Sequence, residues 1–112
     1  MVFRAVSSPF GSRTRTRTLV ALALLRSSYP RELARLLGTN LNAVRKGLAS
    51  LELDGLVAGR QIGRTPVYEV NPAYFARREF ARYVGRVAEA DNELNASVNR
   101  LRRRPRRIGK PL

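Results

Sequence analysis

The chain has 112 residues and a net charge of +14, from 22 basic and 8 acidic side chains. That is one domain's worth of sequence, and a hydrophobic content of 44% is enough for a small core. The lack of cysteine and histidine excludes disulfides, zinc fingers, thiol redox chemistry and the usual nucleophile–base pairs.

No metal, cofactor or catalytic residue is therefore expected. The charge favours a polyanionic partner: DNA, RNA or an anionic membrane surface. Only two of the basic residues are lysine. Arginine is the better bidentate ligand for phosphate and guanine, although a G+C-rich coding bias gives the same skew. The longest apolar run, residues 19–25, is far too short to span a bilayer. Residues 1–10 lack the apolar core and cleavage site of a signal peptide, so a cytoplasmic location is expected.

Residues 1–11 (MVFRAVSSPFG) hold Pro, Gly and paired Ser, and are expected to form a loose arm. Ser12 is a candidate N-cap for a helix running to about Arg26. Arg13, Arg15 and Arg17 alternate with Thr14, Thr16 and Thr18, which alone would suit a strand. The run LVALALL that follows is rich in good helix formers, and the segment is assigned as helix. Leu19, Leu22 and Leu25 or Leu24 are its candidate core. Ser27 and Ser28 connect onward, with a one- or two-residue strand at Tyr29.

The next helix is Pro30 to Leu37. Proline lacks the N–H that would have no partner at a first helical position. Leu33, Ala34 and Leu37 form one apolar stripe, and Gly38 supplies the left-handed end. Asn40 caps a further helix. Val44, Leu48 and Leu51 share its buried face, and Asp54-Gly55 stops it. Asn42, Arg45, Lys46, Ala49 and Ser50 remain outward, a polar, basic face without acid. Two helices joined by a short turn with glycine match the helix-turn-helix pattern, whose second helix enters the DNA major groove. An ordinary helical hairpin with solvated charges is the alternative.

After Gly55 the period changes. Residues 56–61 and 65–71 flank Gly63 as two short strands of a hairpin, with Tyr68 and Val70 alternating with Glu69. Its tip carries Arg60 and Arg64, and Pro66 suits an edge strand. Asn71-Pro72 repeats the cap-plus-proline signal of a helix start, running to at least Glu89. Phe80, Val87, Leu94 and Leu101 are spaced seven apart, with Tyr83, Ala90 and Ser97 at companion positions. That heptad suggests a two-fold contact between copies; a helix packing on its own domain, broken at Asp91-Asn92, is the alternative. Residues 100–112 carry seven basic side chains and no acid, half of the net charge. They are expected to be disordered and to grip nucleic-acid phosphates.

The expected organisation is thus an arm at 1–11, a helix-turn-helix with hairpin at 12–72, a long C-terminal helix at 73–99 and a basic tail at 100–112. The fold class is mainly α (α+β). From Phe10 to about Tyr83 the chain resembles bacterial and archaeal winged helix-turn-helix regulators of the ArsR/MarR-like superfamily. The matching stretches are FGSRTRTRTLVALAL, RELARLLG, NAVRKGL, SLELDGLV and GRQIGRTPVYEVNP. The resemblance implies that Asn40 caps the recognition helix, and that Asn42, Ala43, Arg45 and Lys46 face the major groove. It implies that Arg31 lies near phosphate, and that Arg60 and Arg64, on a two-stranded wing, reach the backbone or minor groove. The chain departs from the pattern in three places. It lacks the Cys and His clusters of metal-sensing members, Gly47 stands where a helix former is usual, and the basic tail is additional.

The expectation is a sequence-specific DNA-binding regulator acting on double-stranded DNA as a homodimer, and the resemblance implies a repressor. The competing expectations are an architectural DNA- or RNA-binding protein held by charge, and a winged helix used for protein assembly. The basic outer face argues against the last. Glu32, Glu52, Asp54, Glu69 and Glu79 show no catalytic spacing and are expected as solvated surface or caps.

Overall fold

Ser12 starts the first helix: its hydroxyl accepts the Arg15 N–H at 3.1 Å, filling a free donor of the opening turn. The computed structural model describes residues 10–102, except for the side chains of residues 92–94 and 102. These residues form five helices and a two-stranded antiparallel sheet, an α+β arrangement. Helix α1 spans Arg13–Leu25 and is the central element. Thr16, Thr18, Leu19, Val20, Ala21, Leu22 and Leu25 are all buried, whereas Leu24 is only half-buried. Other helices and the hairpin surround α1, which is why more than one of its faces is apolar.

Helix α2 (Pro30–Leu37) has the bounds read from sequence. Leu33 and Leu37 are buried, and Gly38 closes the helix at φ 62°, ψ 36°. The extra strand residue is Ser28, not Tyr29: it exchanges backbone hydrogen bonds of 3.0 and 2.8 Å with Tyr68. The Ser28 hydroxyl also donates to Glu32 Oε1 at 2.7 Å. Glu32 is buried in the first turn of α2, where the helix end favours a carboxylate.

Helix α3 (Leu41–Leu53) begins at Asn40, whose Oδ1 accepts the Ala43 N–H at 3.0 Å. Val44, Leu48 and Leu51 are fully buried. Gly55 takes φ 77°, and Leu56 N–H returns to the Leu51 carbonyl at 2.9 Å. Gly47 is buried where α3 faces α1. A Cβ there would lie 3.8 Å from Arg15 Cα and 3.9 Å from Thr18 Oγ1, ordinary van der Waals contact. The packing does not demand glycine. Gly47→Ala is expected to raise stability by about 1 kcal/mol through helix propensity, read as a higher urea midpoint at unchanged slope.

Strands β1 (Val57–Ile62) and β2 (Thr65–Val70) pair in register from Val57↔Val70 to Ile62↔Thr65. Gly63 and Arg64 make the two-residue turn. Gly63, at φ 63°, takes the first central position, as a II′ hairpin requires. Val57 and Val67 are buried; Tyr68, Glu69 and Val70 are all intermediate, so the expected alternation holds only in part.

The C-terminal region departs most from expectation. Asn71 does not cap a helix at Pro72. Its Oδ1 accepts Ala73 N–H and its Nδ2 donates to Gly55 O, both at 3.0 Å, tying a turn to the end of α3. Helix α4 therefore starts later and spans Arg77–Ala90. Asp91 breaks the helix, and α5 (Asn92–Arg102) follows. Phe80, Val84, Val87 and Val98 are buried in the same core as Leu19, Leu33 and Leu48. The seam expected to face a second copy thus has Phe80 and Val87 turned into its own domain. Residues 100–102 are helical, not tail; residues 103–112 lie outside the described residues. At the other end, Phe10 is no part of a loose arm. Its ring meets Phe80 and Tyr83 edge-on, with centroids 5.3 and 5.6 Å apart; residues 1–9 lie outside the description. Among the described residues, no helix is long and apolar enough to cross a membrane.

Candidate nucleic-acid interface

With Val44, Leu48 and Leu51 locked inward, helical geometry turns Asn42, Arg45, Lys46 and Ala49 to solvent, and all four are exposed. Ala43 is half-buried. Asn40 is exposed, and its side-chain oxygen is used in the cap. It fixes where α3 begins, so its role is to position Asn42 and its neighbours. Ser50 was expected outward but is half-buried, accepting a hydrogen bond from Arg15. Glu52 is exposed, so the acid-free part of the face runs from Asn42 to Ala49.

The other candidate cations lie on α2 and on the hairpin. Arg64 is exposed in the hairpin turn. Arg60 is not at the tip: it stands mid-strand opposite Val67, with Nη1 4.0 Å from Glu69 Oε2. That pair is solvent-exposed and weak, so Arg60 is available to another anion. Arg31 is exposed on α2 and lines a cleft of about 270 Å³ with Ala34, Arg35, Thr39 and Leu41. The cleft reaches Leu41, the first residue of α3. Arg64 belongs to a different element and is not part of this group.

Two residues were missed by sequence reasoning. Tyr68 lies flat over its cross-strand partner Gly59, where a Cβ would meet its ring carbons at 2.8 and 3.1 Å. Burial raises the Tyr68 phenol above its ordinary value of 10.0; Glu52 adds to the rise and Arg45 opposes it. The Tyr68 phenol is thus within electrostatic reach of Glu52 and Arg45 on α3. The glycine opposite an aromatic was the signal available.

Arg15 is the other. Its guanidinium binds Asp54 Oδ2 at 2.7 Å, Ser50 Oγ and the Phe10 carbonyl. Only 16% of its side chain is exposed. It clamps the end of α3 to α1 and is occupied within the fold. Hydrogen bonds to charged groups are worth about 1.5–3 kcal/mol, so Arg15→Ala is expected to lose roughly 2 kcal/mol in chemical denaturation. An unchanged midpoint would mean the clamp is idle.

The arrangement can offer hydrogen-bond donors to base edges from one helix face, and exposed cations on α2 and the hairpin to phosphates. No protein-family model matches the chain, and no curated protein does.

Proposed function

We propose that this protein is a DNA-binding module of the helix-turn-helix class, with α3 as the helix that enters the major groove. More particularly, we infer a winged helix-turn-helix transcriptional regulator, similar to the ArsR/MarR-like superfamily, with the β1–β2 hairpin as its wing. One observation carries this: Asn42, Arg45 and Lys46 stand exposed on a helix whose opposite face is fully buried. A rigidly seated helix can present donors at fixed spacing, which base readout needs.

In this reading Arg45 and Lys46 address guanine, and Asn42 addresses adenine. Arg31, Arg60 and Arg64 hold phosphates and set orientation. Repression by occupying a promoter follows from the resemblance. A homodimer stays within the proposal, since paired half-sites add affinity and selectivity. Its contact would have to use residues other than Phe80 and Val87.

Exposed Arg77, Arg78 and Arg82 on α4 favour the second reading, a non-specific architectural DNA- or RNA-binding protein. A competition titration with unrelated DNA at near-physiological salt separates the two. A regulator keeps its preferred duplex against a large excess of competitor; a charge-held protein is displaced in proportion to competitor added.

A further inference from the structure

The turn between the hairpin and α4 holds an aromatic side chain that is left almost wholly to solvent. Phe75 is 93% exposed, the most exposed large apolar residue among those described. Its backbone is nonetheless fixed on either side. Tyr74 N–H bonds to Asn71 O at 3.0 Å, and Arg77 N–H to Tyr74 O at 3.1 Å. The Tyr74 ring packs on the core and meets the Phe75 ring edge-on, with centroids 5.3 Å apart. Three residues on, α4 carries a row of arginines. Arg78, Arg82 and Arg86 recur every fourth residue on its exposed face, with exposed Ala81 and Gly85 between them. Arg86 Nε lies 3.6 Å from Glu89 Oε1, which closes the far end of the row. Among the described residues neither Arg78 nor Arg82 has an ion pair. Like charges at this spacing destabilise a helix, so the row does not serve the stability of α4. Successive arginines are offset by about 6 Å along the axis, near the separation of successive phosphates on an extended strand.

We propose that Phe75, Arg78 and Arg82 bind single-stranded DNA, with one unpaired base stacked on the Phe75 ring and adjacent phosphates held by the arginines. Charge alone suits a duplex or an anionic membrane as well. The open ring favours unpaired bases, whose faces are free to stack, whereas paired bases are stacked on one another. A membrane needs a wide apolar face, and the apolar residues Phe80, Val84 and Val87 of α4 are buried. The choice of DNA over RNA rests on the reading of α3 above; the stacking site itself does not.

The test is fluorescence anisotropy of a labelled oligothymidylate of about 12 nucleotides, titrated with the full-length protein over a range of NaCl. A preferred duplex is titrated alongside. Phe75→Ala is expected to weaken oligothymidylate binding roughly ten-fold, with the salt slope and the duplex affinity unchanged. Phe75→Trp should keep wild-type affinity, and Phe75→Leu should behave as alanine does. Arg82→Ala should lower the log–log slope by about 0.7. All these side chains are exposed, so the urea midpoint should stay in place. Unchanged affinity in Phe75→Ala, or a leucine as good as the phenylalanine, overturns stacking. An equal loss on duplex makes Phe75 a wedge between paired bases and overturns the single-strand assignment. Tighter binding of oligouridylate than of oligothymidylate overturns DNA in favour of RNA. Loss only from phosphatidylserine vesicles makes the surface a membrane contact and overturns the proposal. Arg45→Ala keeps this site apart from α3: it should lose duplex affinity and keep the oligothymidylate. If it loses neither, the reading of α3 fails while stacking on Phe75 stands.

Discussion

A Val98→Asp chain is expected to show no cooperative unfolding transition. Val98 is 1% exposed and lies in the main core, on a helix that packs against α1, α2 and α4. A carboxylate there has no solvent and no built partner, and burying an unpaired charge costs several kcal/mol. Domains of this size hold only about 5–15 kcal/mol in total. Val98→Ala is the control: it should lose roughly 2 kcal/mol and keep a single transition. Circular dichroism against urea reads both. The same packing applies to Val87, which is 7% exposed. Val87→Glu should unfold the protein. A folded, monomeric Val87→Glu protein would instead restore the heptad as a contact between copies.

The second large effect concerns α3. Arg45→Ala and Lys46→Ala should each cost about 1–3 kcal/mol of affinity at a preferred site and relax base choice locally. Neither should alter the urea midpoint by more than a few tenths of a kcal/mol, because both side chains are exposed. Anisotropy on preferred and random duplexes gives the comparison. Equal losses on both would assign these residues to phosphate alone.

Much of the fold was legible because local signals agreed. Pro30, Gly38 and Asn40 each do at their positions what backbone chemistry predicts, and the bounds of α2 follow from them. The spacing of Val44, Leu48 and Leu51 fixed which side of α3 faces out. The errors arose where a local signal met a tertiary competitor. Asn71-Pro72 carries a helix-start signal, but the Asn71 amide binds Gly55 and holds a turn until Ala76. The heptad of Phe80 and Val87 marked an apolar face correctly; periodicity says that a face is buried, not against what. Phe10 read as arm because a single aromatic has no pattern, and its partners lie seventy residues away at Phe80 and Tyr83. Arg15 stood out only as one member of the Arg–Thr alternation, and nothing in that alternation indicates that Asp54 and Ser50 converge on one guanidinium.

Selection of bound sequences from a random duplex library tests base readout by α3 most directly. The wild-type protein is expected to enrich one short motif, arranged as an inverted repeat if two copies bind together. The Arg45→Ala protein should enrich a motif with one position relaxed. A pool that remains random after repeated rounds, from a protein that nonetheless binds duplex tightly, would contradict sequence-specific recognition and leave a protein that holds nucleic acid by charge.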